Sequence, residues 1–361
     1  MTANDDRSAQ RAASAARSEG EARAEWKAER SPRDGLAAFL AKEWGTAVEV
    51  ELLGVASAGA RQRNVLFDTL RDGEHIPLVA TIVPNAALQI MPIEVEVSNL
   101  RLAEAAGMPV PHVHGVCDDS AFVGGPFFVT GRVAGETIPR QVLRLVEADP
   151  ALGPRLAHQC GEALARLHAA DPARAHPRIA RQPGDPLETS LRAVEALVRE
   201  LIQPSPAFTL ALRTLERERP APPARLTVVH GDFRNGNLIV GPDGLRAALD
   251  WEICHVGDPM EDLGWVCQRM WRFRNDALEV GGFGARADLA AGYEGAGGRF
   301  EPERFHWWKT MGTLRWGLGL AGQAKAHLDG SVPSIVMAAS RQRVAELEWD
   351  VLMLLRRSFS P

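Results

Sequence analysis

The sequence predicts an α+β fold: a small antiparallel sheet with one helix packed on it, then a larger, mainly helical part. Three observations predict it. The stretches VEVELLGVA (48–56), RNVLFDTL (63–70) and PLVATIV (77–83) are rich in β-branched residues and bounded by glycine-containing or charged turns. A helical stretch from about Glu94 to Ala106 separates them from two more strands, PVPHVHGVC (109–117) and GPFFVTGRV (125–133). After Gly135 apolar residues recur mostly at helical spacing, as in Leu156, Cys160, Leu164 and Leu167. A chain of 361 residues is too long for one small core and suits a two-part unit or two domains.

Residues 1–30, mostly Ala, Ser, Arg and Glu, are expected to form a flexible tail. The sheet-bearing part is expected over 31–134 and the helical part over 135–361. A helix start is signalled at Ser31-Pro32-Arg33-Asp34, with Ser as N-cap, Pro at N1 and an acid in the first turn. Leu36, Phe39 and Leu40 give that helix an apolar face. Gly107 is the natural C′ residue of the helix ending at Ala106. Further helices are expected near 186–202, 206–217, 258–272, 301–326 and 334–356. One β interruption is expected there: LTVVH (226–230), LIV (238–240), a GPDG turn, and LRAALD (245–250).

Composition excludes several classes. The formal net charge is −5, without the basic domain of a nucleic-acid binder. Residues 76–93 carry no charge, but prolines at 77, 84 and 92 argue against a membrane span. Cys117, Cys160, Cys254 and Cys267 form no CxxC pair and read as reduced thiols of a cytoplasmic protein. The N-terminus has no apolar segment of a secretory signal. Arginine greatly outnumbers lysine, which occurs only at 27, 42, 309 and 325, and alanine is abundant, pointing to a GC-rich, bacterial genome.

Chemistry concentrates in HGDFRNGN, His230 to Asn237. A hairpin turning at Gly241-Pro242-Asp243-Gly244 sets Asn237 near Ala248, with Asp250 two residues on and on the same face. Asp232 sits in the loop before the first hairpin strand. Two carboxylates and an amide oxygen are hard ligands, an inventory that suits Mg2+ shared with substrate phosphates. Asp232 can then accept a hydroxyl proton, while Asn237 and Asp250 hold metal.

The spacing Asp-x4-Asn followed by an Asp at a hairpin end is that of a kinase catalytic loop and its metal-binding aspartate. HGDFRNGNLIV…LDWEICHVGDPMEDLGW resembles the aminoglycoside phosphotransferase family of small-molecule kinases. It is most similar to a bacterial branch related to the kinase-like domains found beside acyl-CoA dehydrogenases. The resemblance covers roughly 33–357 and implies a bilobal protein-kinase-like fold with ATP between the lobes. It makes Asp232 the catalytic base and Asn237 and Asp250 the magnesium ligands, with adenine against the backbone near Thr130 to Arg132. His230 becomes a structural residue of the loop. Asp258-Pro259-Met260-Glu261 begins the next helix in a capping-box pattern. The partner implied is a small-molecule acceptor.

One departure stands out. Such kinases carry a basic residue on the third strand, paired with a glutamate of the following helix. The matching position here is Thr81, while Glu96 remains. Arg61 or Arg63, in the loop SAGARQRN, can supply the charge instead; otherwise ATP binding is weak, or the protein binds a ligand without transfer. His112 and His114 share a strand face but lack a third ligand. Cys254 reads as a buried thiol, and Ser331-x-Pro333 as a helix start. Trp265, Trp271, Trp307, Trp308 and Trp316 read mainly as core. Residues 262–361 hold 11 acids against 13 bases, a balance that suits a neutral or anionic acceptor, such as a hydroxyacyl compound or hydroxy acid, better than a polycationic aminoglycoside.

Overall fold

The computed structural model describes residues 32–58, 62–71, 73–84, 89–181, 184–202 and 204–356. They divide into two compact units. One holds the described residues up to Gln89 together with Val113–Arg132; the other holds Ile90–His112 and the described residues from Val133 on. The expected division at 134 is contiguous. The observed one groups the helix after the third strand with the second unit.

In the first unit, α1 (Pro32–Trp44) precedes β1 (Glu49–Ala58), β2 (Arg63–Arg71), β3 (Glu74–Ile82), β4 (Val113–Cys117) and β5 (Phe127–Gly131). All pairs are antiparallel, in the order β1-β2-β3-β5-β4. Strand alternation sends Val65 and Phe67 of β2, Leu78, Ala80 and Ile82 of β3, and Phe127 and Val129 of β5 into one core with Leu36, Phe39 and Leu40 of α1. Phe67, Leu78 and Phe127 are fully buried, each stabilising by roughly 1.5–3 kcal/mol. Thr81 lies between Ala80 and Ile82 in sequence and so points to the opposite face. The fourth strand is shorter than expected, because residues 109–112 do not join the sheet.

The second unit begins with α2 (Ile93–Ala105), followed by Gly107 with φ +80°, the left-handed stop its sequence signals. Then come α3 (Pro139–Ala148), α4 (Leu152–Ala169), β6 (Ala180–Arg181), α5 (Pro186–Leu201) and α6 (Pro206–Arg217). The strands β7 (Thr227–Val229), β8 (Leu238–Gly241), β9 (Gly244–Ala248) and β10 (His255–Gly257) follow, then α7 (Met260–Val266), α8 (Arg286–Gly295), α9 (Pro302–Leu328), α10 (Ile335–Ser340) and α11 (Val344–Leu355). β8 and β9 form the expected hairpin, and β7 instead joins a small sheet in the order β6-β10-β7. The helix expected over 258–272 stops at Val266; a 3-10 turn follows, and Phe273 and Arg274 have left-handed backbones. The helix expected over 334–356 is broken at 341–343. Ser334, not Ser331, caps its start, accepting from the Met337 N–H at 3.5 Å.

The contact of α4 with α8 is backbone on backbone. A Cβ on Gly161 would overlap the Leu289 carbonyl oxygen, and one on Gly292 would overlap that of His158. This close approach brings His168, at the end of α4, to Tyr293 on α8.

Candidate active site

The loop between β7 and β8 carries the HGDFRNGN motif, and its shape follows from what lies beneath it. Asp262 on α7 is fully buried. Its Oδ2 accepts the His230 backbone N–H at 2.8 Å, and its Oδ1 accepts that of Gly231 at 2.8 Å. His168 Nε2 lies 3.0 Å from the same Oδ2, and His168 Nδ1 lies 2.9 Å from the Tyr293 hydroxyl. Burial alone would raise the Asp262 pKa. The bonds from His168 and the backbone outweigh it and hold the carboxyl below its ordinary value. The loop is thus anchored from below by one charged acceptor.

His230 holds the loop as the resemblance implies. Its Nδ1 accepts the Asp232 N–H at 3.2 Å, so the neutral ring carries its proton on Nε2. Burial lowers its pKa, and its ring packs 4.4 Å from that of the buried Trp251. Gly231 needs a backbone φ of +84°, and a Cβ there would press on the Ile253 carbonyl at 2.7 Å.

Asp232 is the partly open member, with its side chain 14% exposed. Its Oδ1 accepts the Trp265 indole N–H at 2.7 Å, and its Oδ2 accepts Asn237 Nδ2 at 2.7 Å. The Arg234 Nε–H bridges both oxygens at 2.9 and 3.0 Å. These three donors fix the plane of the carboxylate. Asn237 Nδ2 also donates to the Asp232 carbonyl at 3.0 Å, which leaves Oδ1 as the outward atom of that amide.

Asn237 lies at the open end of the hairpin, and Asp250 follows its second strand. The register is one residue from the expected one: Leu238 faces Ala248, and the Leu249 N–H donates to the Asn237 carbonyl at 2.8 Å. The strand ends at Ala248, and Asp250 has φ +67°. A left-handed aspartate is disfavoured by about 1–2 kcal/mol, so this backbone is held by its surroundings, and the expected strand alternation does not position it. Glu96 of α2 is buried and lies near this segment: burial, Asp262 and Glu96 together push the Cys254 thiol well above its ordinary value. That suits a buried thiol.

Beyond Asp250, Asp258 caps α7 by accepting the Met260 N–H at 2.9 Å. The capping box does not close. Glu261 turns away from the helix start to pair with Arg315 and with His255 Nε2, the latter at 3.2 Å. Arg315 lies over the Trp265 ring, 6.0 Å from its centroid. Trp265, Trp271 and Trp316 pack with centroids 4.9–6.3 Å apart.

Hard oxygen donors on Asn237 and Asp250 fit a magnesium ion that takes its remaining ligands from phosphates and water. Among the described residues no three His, Cys, Asp or Glu side chains gather as a metal cage. His112 pairs with Glu104 at 2.8 Å, and His114 packs on Trp44.

The remaining expected residues lie in the first unit. Thr81 donates its hydroxyl to Asn64 Oδ1 at 2.8 Å. Arg63 begins β2, opposite Ile82 of β3. Thr130 pairs with Val79 and Val113. Arg132 donates its N–H to the Pro77 carbonyl at 2.9 Å, and its guanidinium binds Asp68 at 2.7 Å. Arg61 lies outside the described residues.

Sequence reasoning assigned no role to Asp262, His168, Tyr293 or Arg234, and it read Trp265 mainly as core. Asp262 had a usable signal: an acid in a helix otherwise composed of apolar residues from Leu263 to Val266. His168 and Tyr293 are 125 residues apart, and nothing local links them.

A carboxylate held by an indole and an amide at the open end of the β8–β9 hairpin fits the kinase-like class of small-molecule phosphotransferases. Residues 53–304 match the phosphotransferase enzyme family (APH), and the chain belongs to it. Acyl-CoA dehydrogenase family member 10 of Mus musculus is 30% identical over 190 residues, 52% of this chain and 17% of that relative. The chain therefore spans under a fifth of that relative's length. In fold it is similar to a protein of Ralstonia eutropha described provisionally as an aminoglycoside phosphotransferase. That match has a TM-score of 0.68 and 21% identity, over 90% of this chain and 98% of that one. It is also similar to aminoglycoside phosphotransferase APH(4)-Ia in a ternary complex with AMP-PNP and hygromycin B. There the TM-score is 0.58 and the identity 19%, over 88% and 98% of the two chains. Among the described residues no helix is long and apolar enough to cross a membrane.

Proposed function

We propose that the protein transfers the γ-phosphoryl group of ATP to a hydroxyl of a small molecule, with a hydroxy acid or hydroxyacyl compound as acceptor. The observation that carries this reading is the Asp232 carboxylate, fixed by Trp265 and Asn237 at the open end of a hairpin whose second strand ends two residues before Asp250. The new bond runs from the hydroxyl oxygen to phosphorus, the bond to ADP breaks, and the hydroxyl proton goes to Asp232. An incoming hydroxyl shares one Asp232 oxygen with the bridging Arg234 N–H, so the loop can align it without moving its backbone. Mg2+ held by Asn237 Oδ1 and the Asp250 carboxylate would neutralise phosphate charge. Adenine contacts remain proposed for the 130–132 stretch. The Arg132 N–H is already bonded to Pro77, so a purine would use other groups there. The near balance of acids and bases over 262–361 supports an uncharged or anionic acceptor over an aminoglycoside. The four free cysteines, three of them buried, support the cytoplasm as its place of action.

A second reading is favoured by Thr81. The strand position expected to hold a basic residue carries a hydroxyl already bonded to Asn64, as in a protein that binds ligand without transfer. Calorimetry of ATP binding, with and without magnesium, on wild type and Asp250→Ala decides between them. Magnesium-dependent binding that is lost in the variant, followed by phosphate incorporation into a hydroxy acid, supports transfer. No binding at millimolar nucleotide removes the kinase reading, and turnover of aminoglycosides alone removes the proposed acceptor.

A further inference from the structure

Arg234 is held in a way that the phosphotransfer reading does not use. Its Nε–H is committed to Asp232. Its guanidinium carbon lies over the Trp271 ring, 4.6 Å from the centroid, and Trp271 is itself buried against Trp265 and Trp316. Two contacts on different sides thus fix the guanidinium plane. The terminal nitrogens Nη1 and Nη2 donate to no acceptor among the described residues, and the side chain is 22% exposed. A guanidinium has five N–H donors in a planar fork, and the four on the terminal nitrogens remain. A fixed fork with its own donors open, two residues from the acid that takes the proton, is preorganised for an oxyanion.

We infer that Arg234 is the anion-recognising residue of this site, binding a phosphoryl or carboxylate group through Nη1 and Nη2 beside Asp232. The anion has two possible sources: the phosphoryl group being transferred, or an acidic group on the acceptor. The source rests on the phosphotransferase reading, whereas the fork does not. Lysine would keep the charge but lose the planar pair of donors and the stacking on Trp271, so Arg234→Lys should recover only part of the binding.

The test follows intrinsic tryptophan fluorescence, because the guanidinium lies on Trp271. Full-length wild type, Arg234→Lys and Arg234→Gln are titrated at constant ionic strength with inorganic phosphate, lactate, ADP and AMP-PNP. The expected result is a phosphate or lactate response in wild type whose apparent Kd rises at least tenfold in Arg234→Gln and less in Arg234→Lys. A loss of AMP-PNP affinity with ADP unchanged assigns the anion to the transferred phosphoryl group. A loss for phosphate and lactate with both nucleotides unchanged assigns it to the acceptor. Equal affinities of all three proteins for all four probes, or a wild type that responds to none of them, overturn the inference. A wild type that binds phosphate through Arg234 but neither nucleotide leaves the fork standing and removes the kinase reading instead.

Discussion

Replacing Asp262 by asparagine tests whether one buried charge shapes the loop that carries Asp232. The carboxylate accepts three hydrogen bonds, from the N–H groups of His230 and Gly231 and from His168. An amide offers one oxygen. With that oxygen at the Oδ2 position, His230 and His168 stay bonded and the NH2 group faces the Gly231 N–H. With the amide reversed, the NH2 group faces the His230 N–H. His168 can adapt by exchanging tautomers with the Tyr293 hydroxyl, but a backbone N–H cannot. Either way one buried donor is left facing another, which costs about 1–3 kcal/mol. Loss of charge from the surviving bonds brings the total to roughly 2–4 kcal/mol. The assay is urea unfolding at neutral pH, with kcat measured on the same preparation. We expect that destabilisation together with a clear fall in kcat, since the loop carries Asp232. A variant within ~0.5 kcal/mol of wild type, the range of ordinary surface substitutions, would refute the idea that Asp262 anchors the loop.

The remaining predictions concern the layer around Asp232. Trp265→Phe keeps the ring but removes the 2.7 Å bond to Asp232; losing a bond to a charged group, ~1.5–3 kcal/mol, predicts a lower melting temperature together with a fall in kcat of up to roughly 100-fold. The Glu261 carboxyl is buried, which alone would raise its pKa, yet Arg315 and His255 bring it down to about 2 from 4.5. Its folded pKa is depressed, so its contribution is present above pH 4.5 and is lost as pH falls towards 2. Urea midpoints of wild type should therefore decline across that window. Those of Glu261→Gln should be flatter there and lower at pH 7, and parallel profiles would refute the assignment.

Much of this was legible in the sequence because the information is local. Strand composition marks the five strands, Pro32 and Gly107 mark helix ends, and the glycines of GPDG fix a hairpin whose open end brings Asn237 to the end of the second strand. The spacing within HGDFRNGN singled out Asp232 and Asn237, and the structure joins their side chains by a hydrogen bond. Where local rules compete, sequence reasoning fell short. Glu261 satisfies a capping-box pattern, but a buried carboxylate gains more from Arg315 and His255 than from a helix N–H. Asp250 was assigned to a strand face, but its backbone is left-handed.

The sequence by itself therefore determined the fold class and the family, and it marked the HGDFRNGN loop, each written in a short window. The tertiary structure alone decided what holds that loop. Asp262 lies 31 and 32 residues from the N–H groups it accepts, and His168 lies 94 residues from Asp262. A buried carboxylate must find donors wherever the chain delivers them, and only the glycine-mediated packing of α4 on α8, with α7 beneath the loop, delivers them here.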